Sequence, residues 1–214
     1  MMSGEYNVQE LEELAEMIGE ETLADTLDSY SCPLNPEVED FLRHKARHSS
    51  KIGASVTYLV SGEDGALLGY FTLLLKAFQV EASRLTSANR HLIARFAELD
   101  TVHGLYNAAV YLIAQIGKNF TEGIDSQISG DVLLQLAFKI LRRAQGLVGG
   151  KLVLVERECN RPKLLNFYKD NHFTSWNTRH SEHDGVDYDQ MICNLGRKGL
   201  QVAGTENDRT KSEE

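Results

Sequence analysis

Three cysteines, three prolines and one tryptophan are all that 214 residues contain of those types, and residues 1–40 hold no lysine or arginine. Cys32, Cys159 and Cys193 are widely spaced, odd in number and outside any CxxC pair, which argues against a disulfide framework and a thiolate metal site alike. The seven histidines show no ligand spacing: His44 and His48 stand four apart, but no further ligand lies near them. No apolar run reaches the roughly 18–20 residues that cross a bilayer. The chain opens on acidic residues instead of a basic region followed by an apolar one, so it does not read as a signal peptide. The expectation is a cytoplasmic protein with reduced thiols, no metal and no membrane partner. A GxSxG elbow is missing, no Cys–His pair can be assigned, and no internal repeat is found.

What is present fits an ordinary globular chain, with 42% hydrophobic and 25% charged residues, long enough for one sizeable core. The net charge of −9 is unevenly spread. Residues 1–40 carry twelve carboxylates, so residues 41–214 hold 22 basic against 19 acidic side chains, a net of +3. The main body is therefore able to receive a polyanionic ligand, whereas the whole chain is a poor nonspecific nucleic-acid binder.

Periodicity divides the chain into elements. Val8, Leu11, Leu14, Ala15 and Ile18 recur at helical steps and Gly19 ends them; a short helix over residues 21–27 follows. After a loop at 29–35, Asn35-Pro36 reads as an N-cap with proline at the first helical position, and Val38, Phe41, Leu42 and Ala46 point inward. Residues 54–60 and 66–76 make a hairpin about the SGEDG turn. A polar helix covers 87–96. Residues 107–116 (NAAVYLIAQI) are apolar enough for a central strand buried on both faces. A polar loop over 117–129 leads to the clearest helix, 131–145, with Leu133, Leu136, Ala137, Ile140, Leu141 and Ala144 on its buried stripe. A strand at 151–156, a helix from Pro162, and strands at 173–176 and 188–195 complete a mixed α/β arrangement.

Two units carry candidate chemistry. Ser129-Gly130-Asp131 opens the long helix, where free N–H groups and a partial positive charge can receive a pyrophosphate; equally, Gly130 merely turns the chain and Ser129 caps the helix. The second unit runs from strand 151–156 through the helix holding Phe167 and Tyr168 to His172-Phe173. This second unit resembles the GNAT N-acetyltransferases, whose corresponding helix carries Asn-x-x-Ala-x-x-(Leu/Phe)-Tyr-x-x-x-Gly-Phe. The hairpin with Thr57-Tyr58-Leu59-Val60 and Leu68-Gly69-Tyr70-Phe71-Thr72-Leu73 is similar to that family's second and third strands. Ser31-Cys32 and Val38-Glu39-Asp40-Phe41-Leu42 resemble the branch that includes aminoacyl-tRNA-acetylating toxins.

The resemblance spans about residues 31–195 and implies a GNAT-like mixed, mostly antiparallel central sheet flanked by helices. Residues 1–30 are then an acidic helical extension, and 196–214 a disordered tail. It also implies an enzyme that transfers acetyl from acetyl-CoA to an amine of a protein, peptide or aminoacyl-tRNA. Other nucleic acid is not expected, and a homodimer is compatible. On the cofactor side the resemblance points to Gln115, Ile116, Gly117 and Lys118, then Ile128, Ser129, Gly130, Asp131 and Val132, with Asn160 and Lys163 beyond. Lys118, Lys139, Arg142 and Arg143 are candidates for the CoA phosphates, or are simply solvated. Tyr168 becomes the acid that protonates the departing thiolate, its alternative being a core aromatic. Glu156, ending its strand, is the acidic candidate on the amine side, or a solvated strand end.

Three positions depart from the family pattern. The signature Gln/Arg-x-x-Gly-x-Gly/Ala falls on Asp125-Ser126-Gln127-Ile128-Ser129-Gly130, where only the last glycine is kept. The family asparagine falls on Arg161, one place after Asn160, and the family glycine on His172. The degraded signature leaves open a GNAT-shaped binding or regulatory protein without turnover, and the N-terminal similarity to the toxin branch leaves open a toxin with a protein antitoxin. The twelve carboxylates of residues 1–40 oppose tRNA unless they face away or cover a basic surface. Because the segment after Gly196 has almost nothing apolar to bury, truncation there should leave the denaturation midpoint nearly unchanged. A loss of several kcal/mol by denaturant titration would show that it docks.

Overall fold

The computed structural model describes residues 6–196; the tail expected from residue 196 lies, but for Gly196, outside the described residues. The strands form one eight-stranded sheet in the order β1-β2-β3-β5-β6-β8-β7, with β4 paired to the side of β5. Their ranges are β1 Asn7–Glu10, β2 Val56–Ser61, β3 Leu67–Glu81, β4 Leu99–Asp100, β5 Leu105–Lys118, β6 Leu152–Glu158, β7 Thr174–Ser181 and β8 Val186–Asn194. Every pairing is antiparallel except β5–β6. The expected mixed, mostly antiparallel sheet flanked by helices is what forms.

Helices α1 (Leu11–Ile18), α2 (Glu20–Asp28), α3 (Pro36–Asp40) and α4 (Ala46–Lys51) cover one face. Between α3 and α4 the chain makes a π-helical turn, Phe41–Lys45. Their Leu11, Leu23, Leu27, Tyr30, Val38 and Leu42 are buried with Leu59, Leu67 and Tyr70 of β2 and β3. On the opposite face, α6 (Gly130–Val148) and α7 (Pro162–Asp170) pack Leu133, Ala137, Phe138, Leu141 and Tyr168 against Phe71, Tyr111, Val153 and Met191. A third cluster, around Phe78, Ile93 of α5 (Ser87–Ile93), Leu154 and Trp176, closes the far end of the sheet. No helix of the described residues is long and apolar enough to cross a membrane.

Several elements differ from expectation for physical reasons. Val8, assigned by spacing to a helix, lies on β1 opposite Val60, and the helix begins only at Leu11. The Glu10 carboxylate accepts from the N–H groups of Glu12 and Glu13, fixing that start. Residues expected as an acidic extension thus supply the edge strand and part of the core. Strand β7 runs on through polar residues to Ser181 because cross-strand pairs hold it: Asn177 with Gln190 at 2.8 Å and His180 with Asp187 at 2.7 Å. Part of the acidic segment does cover a basic one. Arg47 lies 2.8 Å from both Glu12 and Glu20, and Arg43 donates to the carbonyls of Asp28 and Tyr30.

The close approach of α3 to β5 depends on a missing side chain. A Cβ at Gly117 would fall 2.6 Å from Val38 Cγ1 and inside contact distance of the buried Tyr30 hydroxyl, whose neighbour is the Cys32 thiol. Gly117→Ala should therefore destabilise by about 1–3 kcal/mol through overpacking. Tyr30→Phe should cost little alone, since it deletes only a weak hydrogen bond to the Cys32 thiol, and should recover part of the Gly117→Ala loss. Urea midpoints of the double-mutant cycle check both; simple additivity would show that the two residues do not press on one another.

Candidate active site

Strand β5 pairs with β3 along its whole length, but with β6 at only two positions, Tyr111 with Val153 and Leu112 with Leu154. Toward their C-terminal ends β5 and β6 make no further ladder pair, although β6 stays bonded to β8 as far as Glu158. The register with β3 slips where the separation starts: Leu73 pairs with Ile113 and Thr72 with Gln115, so Ala114 is the extra residue of a bulge. A bulge bends its strand and leaves backbone groups unpaired. The result is an opening between two parallel strands, edged on one side by residues 113–118 and on the other by 155–158.

Helix α6 begins beside this opening. Ser129 Oγ accepts from the Val132 N–H at 3.2 Å, and its carbonyl accepts from Leu133. The N–H groups of Gly130 and Asp131 have no protein partner among the described residues, which leaves them for an anion. A Cβ on Gly130 would lie 3.2 Å from the Phe167 ring, so this glycine admits α7 against the helix start. Asp131 accepts from Asn171 at 2.7 Å and ties the same two helices together, while Ile128 is buried in the core below.

The remaining cofactor-side candidates are dispersed. Gln115 and Ile116 sit half-buried on β5 at the opening, whereas Gly117 is taken up by packing under Tyr30. The Lys118 ammonium donates to the Asp125 carbonyl and stands 5.5 Å from the Phe120 ring centre, which holds it on the loop before α6. Asn160 and Lys163 are exposed about the start of α7. Arg161 between them hydrogen-bonds the Leu34 carbonyl at 2.9 Å and pairs with Glu158 at 3.0 Å. Lys139, Arg142 and Arg143 lie roughly 13–20 Å along α6 from its start, too far to meet an anion there.

Tyr168 projects from α7 into the core between Phe167 and Phe173, with ring centres 5.2 and 5.4 Å away. Nothing among the described residues hydrogen-bonds its hydroxyl, and burial pushes its pKa up to about 12.

No family model matches the chain, and no curated protein does. Solved structures do. AtaT complexed with acetyl-methionyl-tRNAfMet superposes with a TM-score of 0.58 at 16% identity, over 89% of this chain and 95% of that one. A tyrosine-to-phenylalanine mutant of KacT gives 0.58 at 16%, over 86% and 94%. AtaTR bound with AcCoA gives 0.53 at 16%, over 88% and 94%. The fold is that of the GNAT acetyltransferases.

Within this GNAT fold, Glu156 occupies the side of β6 opposite Tyr168. Val155 belongs to the cluster under α6 and α7 and Leu154 to the cluster on the other face, so alternation puts Glu156 with the latter. There its carboxylate accepts from Gln190 at 2.6 Å and Lys76 at 3.0 Å, with Arg179 at 3.4 Å. Burial opposes its ionisation, but the Gln190 amide and the two cations outweigh this and hold its pKa below the usual carboxylate range. Glu156 is thus an anchored anion, poorly suited to accept a proton. Sequence reasoning missed the buried pair Arg157–Asp189 at 2.8 Å, whose Asp189 also accepts from Ser175. The only signal was two charges inside apolar strands. His172, at the family's glycine position, has φ of 68°, the left-handed region that glycine enters freely and histidine does not.

Glu156→Gln should lower stability at neutral pH by about 1–3 kcal/mol, because two part-buried cations lose their partner. The folded carboxyl titrates below the unfolded value of about 4.3, so the wild-type advantage should be full above that pH and fade as pH falls below it. Denaturant titrations at pH 3 and 7 measure this. An unchanged difference at both would mean that the carboxylate contributes nothing as an ion.

Proposed function

We propose that the chain is an acetyl-CoA-dependent N-acetyltransferase of the toxin type, acting on the amine of an aminoacyl-tRNA, peptide or protein. The observation that carries this reading is the two-position β5–β6 ladder, which opens the sheet beside both a free helix N-terminus and Tyr168. Support comes from the AtaT and KacT structures sharing the fold over most of both chains, one with acetyl-methionyl-tRNAfMet and one with AcCoA.

In this reading the unpaired edge of β5 receives the pantetheine arm by backbone hydrogen bonding, and the N–H groups of Gly130 and Asp131 receive the pyrophosphate. The thioester supplies the activated acetyl group. Tyr168 holds a proton throughout the working pH range and donates it to the departing sulfur; its aromatic surroundings exclude water. Glu156 serves as fixed negative charge across the opening, positioning Lys76 and Arg179, and the amine proton leaves to solvent. A catalytically inert binding protein is the second reading. It is favoured by Asp131, whose charge at the helix start opposes a phosphate, and by the use of Gly130 for packing on Phe167.

Acetyl-CoA should raise the melting temperature in proportion to RT ln(1 + [L]/Kd). Tyr168→Phe should keep that shift while lowering kcat about 10²-fold, the low end for a positioned acid because thiolate leaves readily. With its pKa near 12, Tyr168 should cause no alkaline loss of kcat below about pH 11. Release of free CoA, with aminoacyl-tRNAs and peptides as acceptors, is the assay. A thermal shift without turnover on any of them favours the inert reading; no shift at millimolar acetyl-CoA overturns both the donor and the site.

A further inference from the structure

The family resemblance places Gln115 with the cofactor, but the sheet turns its side chain the other way. Directly opposed residues of an antiparallel pair share a face. Ile113 lies opposite Leu73 and Ile116 opposite Phe71, and all four pack with the core under α6 and α7. Gln115 lies opposite Thr72, whose hydroxyl is buried against that of Thr57 at 2.9 Å. Thr72 alternates with Leu74 and Lys76 along β3, and the Lys76 ammonium reaches Glu156 at 3.0 Å. Gly117, two residues beyond Gln115 on the same face, lies under Val38 of α3. Gln115 therefore points away from the start of α6 and from Tyr168, toward the side of the opening that holds Glu156.

The polar groups that share this face are already committed. Thr57 and Thr72 hold each other. Asn177 donates to Gln190 at 2.8 Å and Gln190 to Glu156 at 2.6 Å, while Lys76 and Arg179 close on the same carboxylate. Glu37 of α3 is a further charge on this side, near enough to act on Tyr188 of β8. Gln115 is half-buried at the edge of the opening, and its amide has no hydrogen-bond partner among the described residues. The other face of the opening is taken up by the helix start and Tyr168, so an attacking amine approaches from the Gln115 side. That amine must be uncharged to attack. A free carboxylate beside it would hold it as ammonium. An amide oxygen accepts an N–H of the neutral amine and leaves the nitrogen lone pair for the thioester carbon.

We propose that Gln115 binds the acceptor, its side-chain oxygen accepting an N–H of the neutral amine that attacks acetyl-CoA. The proposal rests on the acetyl-transfer reading of the same opening. As the C–N bond forms and the C–S bond breaks, Tyr168 protonates the sulfur and the amine proton leaves to solvent. The test compares CoA release by the wild type, Gln115→Leu and Gln115→Glu, beside thermal shifts with acetyl-CoA. Gln115→Leu should raise the acceptor KM about five- to tenfold, the loss of one hydrogen bond, and leave the acetyl-CoA shift unchanged. Gln115→Glu keeps the shape and should move the acidic limb of kcat against pH upward by about one unit, since the bound amine then keeps its proton more tightly. That isosteric variant also decides the matter if Gln115→Leu folds poorly. An unchanged acceptor KM or a weaker acetyl-CoA shift in Gln115→Leu, or an unmoved limb in Gln115→Glu, overturns this proposal alone. Wild-type protein that releases no CoA with any acceptor overturns the acetyl-transfer reading and this proposal together.

Discussion

Two adjacent parallel strands that bond at two positions and then part are the feature on which the candidate site depends. Strand β5 is held by β3 and β6 by β8, so each has one satisfied edge, and the edges that face one another are left open beyond Leu112 and Leu154. Buried backbone groups do not stay unpaired without cost. The bulge at Ala114 re-aims β5 just where the ladder ends, and an extended ligand can complete the missing bonds. The opening is thus a local weakness of the sheet, where two strand edges face one another without a ladder.

What props the opening is packing on both faces. Under one face, α6 and α7 are locked by Phe167 against Gly130 and by Asn171 between Asp131 and the Phe167 carbonyl. On the other, Asn119 ties the loop before α3 to the end of β5. Its side-chain oxygen accepts from the Ser31 and Thr121 N–H groups, and its amide donates to the carbonyls of Ser29 and Leu67. Charges then divide the space. Tyr168 stays neutral among aromatic rings, whereas Glu156 stays ionised between two cations across the sheet. Burial alone raises the first group's pKa, and nearby cations lower the second's despite burial. Two titratable groups on opposite faces of the sheet are thereby held in opposite charge states.

Much of the fold was legible because its signals are local. The stripe of α6, the β2–β3 hairpin about SGEDG, and the apolar run of β5 each show a periodicity that one element satisfies. Val8 was misread since a single apolar residue at i−3 fits a helix and an edge strand equally, and only pairing with Val60 separates them. The β7 extension was hidden because its residues are polar, its stability coming from partners on β8. The Gly130 region was read as an anion site or a packing site, and the geometry uses it for packing while leaving two N–H groups free.

The sequence by itself determined the order of the longer elements, the buried faces, the unequal charge of the two parts and the helix that bears Tyr168. These follow from side-chain period and composition, which act within a few residues. Tertiary structure decided the rest. It set where β5 and β6 part, placed Glu156 and Tyr168 on opposite faces, and chose which of the N-terminal carboxylates Arg47 neutralises. Those outcomes depend on contacts between residues as far apart as Lys76 and Glu156, which exist only once distant strands have been brought into one sheet.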